Sequence, residues 1–248
     1  MKPDTGPIPG EQKNLLDPRK GAVRKYRDLF LGRVSFGYFL KYEVITMLFS
    51  AVPGALGFAL RRFFFRGLFG SVGKGVVFGR NMTLRHARKI NIGDNVVFDD
   101  NTVVDAKGID NLGIRIGDNV VIGRNTIISC KGGDIQINDF ANIGPNNTLI
   151  SESILKIGKY VFTAGQTYMV AGGNHSFDRK DIPIWHQPSV SKGGIEIEDD
   201  VWIGASVTVL DGVKIRTGCI IGAGSVVHRR LPAYTVALGN PLAIVKKR

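Results

Sequence analysis

The segment IEDDVWIGASVTVLDGVKIRTGCIIGAGSVV, residues 197–227, returns an aliphatic side chain every sixth position: Ile197, Ile203, Val209, Ile215, Ile221 and Val227. Four places after each of the first five stands a small or β-branched residue, namely Val201, Val207, Val213, Cys219 and Ser225. A period of six fits neither an amphipathic helix (about 3.6) nor one alternating strand (about 2). It is three strand periods, which suits short strands that bury one residue, turn on a Gly/Asp/Asn pair and bury the next.

This pattern of aliphatic residue, glycine, two variable positions and a small residue resembles the hexapeptide-repeat acyltransferases. The resemblance implies a left-handed parallel β-helix with about eighteen residues per triangular turn. Aliphatic triplets six apart begin at Val72 (with Phe78 and Leu84), Ile92 (Phe98, Val104), Ile116 (Ile122, Ile128) and Ile137 (Ile143, Leu149). They continue at Ile157 (Thr163, Met169), Ile197 and Ile215. Successive starts differ by 20, 24, 21, 20, 40 and 18 residues. Five steps are one coil plus a corner of at most six extra residues, and one carries a 22-residue excursion between Met169 and Ile197. The expected fold is an all-β solenoid of about seven or more coils with an N-terminal α-helical segment. A solenoid without catalytic role fits the repeat equally well, so the excursion has to separate the two readings.

The corners carry Gly-Asp-Asn at Gly93-Asp94-Asn95 and Gly117-Asp118-Asn119, and the chain's 32 glycines suit a fold with a corner every few residues. Its two cysteines, Cys130 and Cys219, fall inside repeat hexads and read as small, reduced core residues, as expected of a cytoplasmic protein. Charge is unevenly placed. Residues 1–89 hold 17 Lys/Arg against 5 Asp/Glu, whereas residues 90–248 hold 16 of each. A basic segment ahead of a neutral body argues for a docking surface, and no nucleic-acid motif accompanies it.

The chain divides into a Pro/Gly-rich lead (1–21, expected flexible and without a secretory signal), a basic-aromatic helical segment (22–71) and the β-helix (72–248) with its loop at 171–195. In the helical segment, Arg24, Lys25, Arg27 and Arg33 precede the aromatic stretch Phe36–Phe49, and Pro53-Gly54 separates a second piece carrying Arg61, Arg62 and Arg66 among phenylalanines. The 17 uncharged residues from Val44 to Leu60 are shorter than the roughly 20 that a spanning helix needs. Two readings stand: amphipathic helices lying at a membrane surface on the inner face, or a cap over the open end of the solenoid.

The excursion opens Gly172-Gly173-Asn174-His175-Ser176-Phe177-Asp178, passes through Ile182-Pro183-Ile184-Trp185-His186-Gln187-Pro188, and leads to Asp200-Val201-Trp202-Ile203-Gly204. In this combination it is most similar to the sugar O-acetyltransferases of the family. The resemblance implies direct transfer from acetyl-CoA with His175 as general base. That role suits an imidazole, which titrates near 6.5 in model peptides. Asp178 is a candidate to orient its ring, and His186 is a second candidate base; His86 and His228 read as surface residues. The resemblance further implies coenzyme contacts from Trp202, Ala205, Ala223, His228, Arg229 and Lys246, and acceptor contacts from Asn146 and Glu152. Gly144 and Cys130 depart from the sugar enzymes at acceptor positions, which points to a different acceptor, and Ala243 stands where those enzymes often have an Arg on the coenzyme phosphate.

The reading is an acetyl-CoA-dependent O-acetyltransferase acting on a sugar or lipid-linked glycan, as a homotrimer with sites between neighbouring copies; N-transfer stays open. No metal is expected. A carbonic anhydrase of this fold needs three histidines on one ion, and the four here stand at 86, 175, 186 and 228. A non-catalytic scaffold needs only the solenoid.

Overall fold

The computed structural model describes residues 17–248. The flexible lead expected over 1–21 therefore lies, for residues 1–16, outside the described residues. From Ser71 the chain winds into a parallel β-helix, left-handed as expected, whose three faces carry seven, nine and seven strands. The first face runs from Ser71–Val72 to Lys214–Ile215, the second from Val77–Phe78 to Ala243–Lys247, and the third from Thr83–Arg85 to Val226–Val227.

The register is the one the triplets imply. Val72 stands opposite Ile92, Ile92 opposite Ile116, Ile116 opposite Ile137, Ile137 opposite Ile157, Ile157 opposite Ile197, and Ile197 opposite Ile215. Each side of the triangle buries two residues, because alternate side chains in a strand point the same way. The aliphatic residue is one; the small residue two places before it is the other, so Val201, Val207, Val213, Cys219 and Ser225 are all buried. Thr163, the one polar member of the triplets, is buried as well, and its hydroxyl oxygen accepts from Asn147 Nδ2 (2.8 Å) and the Gly144 amide (3.2 Å). Both cysteines are buried and unpaired, and burial pushes the Cys130 thiol up to about 12.

Corners need a left-handed residue, and asparagine tolerates that conformation best after glycine. Asn81, Asn95, Asn101, Asn119, Asn125 and Asn146 all have positive φ. Their amides stack coil upon coil, Asn125 Nδ2 donating to Asn146 Oδ1 at 3.0 Å and Asn101 Nδ2 to Asn125 Oδ1 at 3.2 Å. The aspartates of the corners accept from the backbone of the preceding coil, as Asp94 does from the Lys74 amide (2.6 Å) and Asp118 from the Asp94 amide (2.7 Å).

Among the described residues three α-helices precede the solenoid: α1 (Ala22–Phe30), α2 (Phe36–Phe49) and α3 (Gly54–Phe64). The first was not singled out by the aromatic pattern, since its sequence is basic rather than apolar. Ser35 caps α2, its hydroxyl accepting from the Tyr38 amide (3.3 Å), and Pro53 opens α3. One seam of α2 lies inward, burying Tyr42 and Ile45, while Phe65, Leu68 and Phe69 after α3 close the first coil. Phe69, Phe78 and Phe98 stack as near-parallel rings with centroids 5.3 and 6.0 Å apart. Buried Arg61 donates from Nε to the Phe78 carbonyl (2.9 Å) and from Nη1 to the Val52 carbonyl (2.7 Å), tying the cap to the first turn.

His86 does not lie on the surface as expected. It is 7% exposed, and its Nε2–H donates to the Asp28 carbonyl (3.1 Å). Helix α1 packs over it, and no sequence period foretells that contact. At the far end, Thr235–Leu238 pairs parallel with the last coil and antiparallel with Ala243–Lys247.

Replacing Phe78 by Ala removes the middle ring of the cap stack. It should cost about 3–5 kcal/mol, read as a lower urea midpoint for unfolding.

Candidate functional site

The excursion leaves the prism at the edge where the third face turns into the first. Ile157 and Ile197 are direct partners across it, so residues 172–194 depart and return at the same height without disturbing the ladder. Gly172 starts the departure with φ +98°, and a Cβ there would stand 2.8 Å from Glu152 Cβ in the coil below. Only glycine meets both conditions. The loop then forms a short antiparallel ribbon, Asn174–His175 against Ser189–Val190.

Two buried polar side chains hold this loop, and neither was singled out as a functional residue from the sequence. Asp211 stands one coil above Ala171, where the strand below continues to Ser151 and Cys130. It is 7% exposed and accepts from the Lys192 amide (2.5 Å), the Gly194 amide (2.9 Å) and Asn174 Nδ2 (3.1 Å). One carboxylate therefore gathers both ends of the excursion. A charged residue in a column otherwise held by Ala, Ser and Cys was the available signal. Gln187, also buried, braces the loop interior: its Nε2 donates to the Arg179 carbonyl (2.7 Å), and its Oε1 accepts from the Arg179 amide (3.2 Å).

His175 is half-buried on the ribbon. Its Nδ1 faces the Gln187 carbonyl oxygen at 3.3 Å. A carbonyl can only accept, so Nδ1 carries the proton and Nε2 keeps its lone pair. Nε2 has no hydrogen-bond partner among the described residues. With Nδ1 so engaged, Nε2 is the ring nitrogen left open to take a proton from an acceptor, as a general base must. Asp178 does not orient it; that carboxylate is exposed and accepts from the Ser176 hydroxyl (3.2 Å).

Glu152 comes to the same place from the coil below. Its Oε2 accepts from the Ser189 hydroxyl (3.3 Å), and Ser189 is the ribbon partner of His175. The fold therefore brings together His175 and Glu152, which are 23 residues apart in sequence. His186 lies in a short helical turn, its ring 5.1 Å edge-on from Trp185. Asn146 stands elsewhere, in the asparagine stack at the opposite end of the strand Thr148–Ser151.

The other expected residues fall in two groups. Ala205 and Ala223 share the corner between the second and third faces. The chains approach closely there: a Cβ on Gly204 would stand 2.6 Å from the Ala223 amide nitrogen. The Gly224 amide donates to the Ala205 carbonyl (2.8 Å). Trp202 is half-exposed on the second face between Phe162 and Ile220. Among the basic groups, Arg229 donates to the Leu242 carbonyl (2.9 Å), His228 is exposed at the end of the third face, and Lys246 pairs with Val236 on the terminal ribbon. The second face lies across the prism from the edge that carries the excursion, so Trp202 and His175 of one chain do not meet. Among the described residues, no group of three or more His, Cys, Asp or Glu is placed to hold a metal ion.

Residues 194–229 match the family described as bacterial transferase hexapeptide (six repeats), and residues 108–132 match the hexapeptide repeat of succinyl-transferase. A protein of Lysinibacillus sphaericus named "Probable macrolide acetyltransferase" is 33% identical over 123 residues, covering 44% of this chain and 68% of its own. The galactoside O-acetyltransferase of Lactococcus lactis is 33% identical over 108 residues, 41% of this chain and 47% of its own. The chain spans about half the length of the curated relatives it matches. A mutant of the N-acyltransferase AntD from Bacillus cereus, solved with dTDP and coenzyme A, superposes with a TM-score of 0.51 at 24% identity. That superposition covers 74% of this chain and 87% of the other and shows the shared fold.

Replacing Asp211 by Ala should release both ends of the excursion. Hydrogen–deuterium exchange is expected to rise across residues 172–194 and to stay unchanged in the coils below.

Proposed function

Because this chain belongs to the hexapeptide-repeat acyltransferases, we propose that it is an acetyl-CoA-dependent O-acetyltransferase acting on a sugar or polysaccharide precursor, with His175 as general base. The observation that carries this reading is the setting of His175: Nδ1 engaged by the Gln187 carbonyl, Nε2 without a partner among the described residues, and Glu152 bonded to Ser189, the residue opposite His175 on the ribbon. A scaffold has no use for an imidazole oriented in this way on a braced loop.

In the proposed reaction, Nε2 removes the acceptor hydroxyl proton as that oxygen attacks the thioester carbonyl. The tetrahedral intermediate collapses with cleavage of the C–S bond. The imidazolium then returns the proton to the departing thiolate, so ester and free coenzyme thiol form with no acyl-enzyme. Glu152 accepts a hydrogen bond from a second acceptor hydroxyl and fixes its orientation. Trp202, Ala205 and Ala223 line the coenzyme groove in this scheme, with His228, Arg229 and Lys246 toward its phosphates.

The position of Trp202 across the prism from His175 supports a homotrimer, in which the second face of one copy meets the excursion of the next. That face carries Phe162 and Trp202, and the corner leading into it Phe140 and Tyr160, each between 46% and 59% exposed, which is apolar surface suited to a neighbouring copy.

Helix α2 supports peripheral membrane contact as part of the same reading. Its outward row of Phe36, Leu40, Val44, Met47 and Leu48 is exposed, continued by Leu56 and Phe63 of α3, with exposed Arg62 and Arg66 beside them. Among the described residues no helix is long and apolar enough to cross a membrane. A helix of 14 residues with one seam on the solenoid and another open fits an anionic lipid surface.

His175→Ala should abolish release of free coenzyme from acetyl-CoA in the presence of acceptor, at unchanged coenzyme binding. The expected loss is about 10²–10⁴-fold in kcat; equal turnover in the two proteins would move the base elsewhere. The double substitution Met47→Glu and Phe63→Glu should prevent co-sedimentation with vesicles of phosphatidylglycerol and phosphatidylcholine while leaving turnover of a water-soluble acceptor intact. If the unaltered chain stays in the supernatant, the membrane contact is wrong.

A further inference from the structure

Away from the excursion, α1 and the turn after it roof a cavity of about 620 Å³ over the corners that follow the first two coils. Its wall includes the six-residue excess between Ile92 and Ile116, which forms the bulge carrying Lys107 to Asn111. Gly32 passes over His86 with φ +74°, where a Cβ would lie 2.9 Å from the ring, so the roof sits directly on the imidazole.

The lining is strongly cationic. Among the described residues of the lining, Lys20, Arg24, Arg33, Arg88, Lys89 and Lys107 stand with two carboxylates, Asp28 and Asp110. Lys20 pairs with Asp28 at 2.7 Å, and Lys89 donates to the Gly108 carbonyl (3.1 Å) and to Asn111. Arg88 lies over the Tyr38 ring at 5.6 Å. Arg24 and Arg33 have no carboxylate partner among the described residues. A concave site with several converging cations and unpaired guanidinium groups suits a compact polyanion, and guanidinium forks suit phosphate oxygens.

The cavity and the candidate catalytic residues share one edge of the prism. The Gly132 amide donates to the Lys107 carbonyl (3.1 Å), the Lys131 amide to the Ser151 carbonyl (2.7 Å), and the Glu152 amide to the Ala171 carbonyl (2.7 Å). Lys107 is thus two coils from Glu152, roughly 10 Å at the spacing of neighbouring strands, and His175 leaves from the coil above.

We propose that this cavity binds the phosphate or diphosphate of a phosphate-linked glycan, whose sugar end runs along the edge past Lys107 to Glu152 and His175. The phosphate site stands on the cavity itself; the identity of the sugar end as acceptor rests on the acyltransferase reading. A diphosphate of this kind joins a glycan to either a lipid or a nucleoside, and the recognising chemistry is the same.

The test is calorimetric titration of the full chain with inorganic pyrophosphate, with and without saturating coenzyme A. Pyrophosphate should bind both forms, and the double substitution Arg24→Ala and Arg33→Ala should weaken it roughly tenfold or more. Arg24→Lys with Arg33→Lys should recover part of that loss, and acetyl-CoA binding should be the same in all three proteins. Competition by a nucleoside diphosphate sugar or by a prenyl diphosphate sugar in detergent then identifies the source. Pyrophosphate binding that ignores the double substitution, or that coenzyme A abolishes, would overturn the proposal. Failure of acetyl-CoA to bind while pyrophosphate still does would sink the acyltransferase reading and leave the anion site standing.

Discussion

A parallel solenoid satisfies each strand's backbone only by stacking another coil upon it, so its interior is self-consistent and its two ends are exposed edges. The rest of this molecule follows from that constraint. At the start, aromatic side chains after α3 fill the first triangle, and Arg61 bonds the first turn of backbone. At the finish, the chain folds back antiparallel as Ala243–Lys247. Between the ends the coils repeat one plan: inward side chains from each face and a left-handed corner residue, asparagine in the early coils and Phe140, Tyr160, Gln166, Asp200 or Ser206 in later ones.

A long loop can therefore be added only at an edge, where it does not break the stack. The chain does this by leaving after Ala171 and re-entering in register at Ile195. Such a detour would sample many conformations if left to itself, at an ordering cost of about 1–2 kcal/mol per residue. Asp211 and Gln187 limit that freedom by binding both ends and the middle. Their cost is burial of polar groups, which the backbone amides and carbonyls of the loop offset by hydrogen bonding. His175 takes its ring orientation from the same brace, because the carbonyl facing Nδ1 belongs to Gln187.

Regular features were legible in the sequence because they repeat. The triplets from Val72 to Val227 appear as direct ladder partners, and the place where the period breaks is where the loop emerges. Contacts made once were not legible. Asp211 shows in the sequence only as a charge in a column of small residues, and its bonds to the loop amides have no sign there. The cationic cavity draws on three separated segments; its linear signs were the basic excess before residue 90 and a corner six residues longer than a bare coil, and neither tells that the two meet. His86 looked exposed because nothing in its own segment announces that α1 lies over it. The helical segment posed a choice between cap and membrane surface; the structure gives α2 an inward seam against the solenoid and an exposed apolar row on its other side.

A structure of the chain with bound acetyl-CoA shows whether the edge carrying His175 is where a thioester is opened. The thioester carbonyl carbon is expected within roughly 3–3.5 Å of the position a reacting hydroxyl needs beside His175 Nε2, with Trp202 of a second copy alongside. A coenzyme whose thioester ends beyond reach of His175, or an assembly that leaves the excursion without a neighbour, would contradict it.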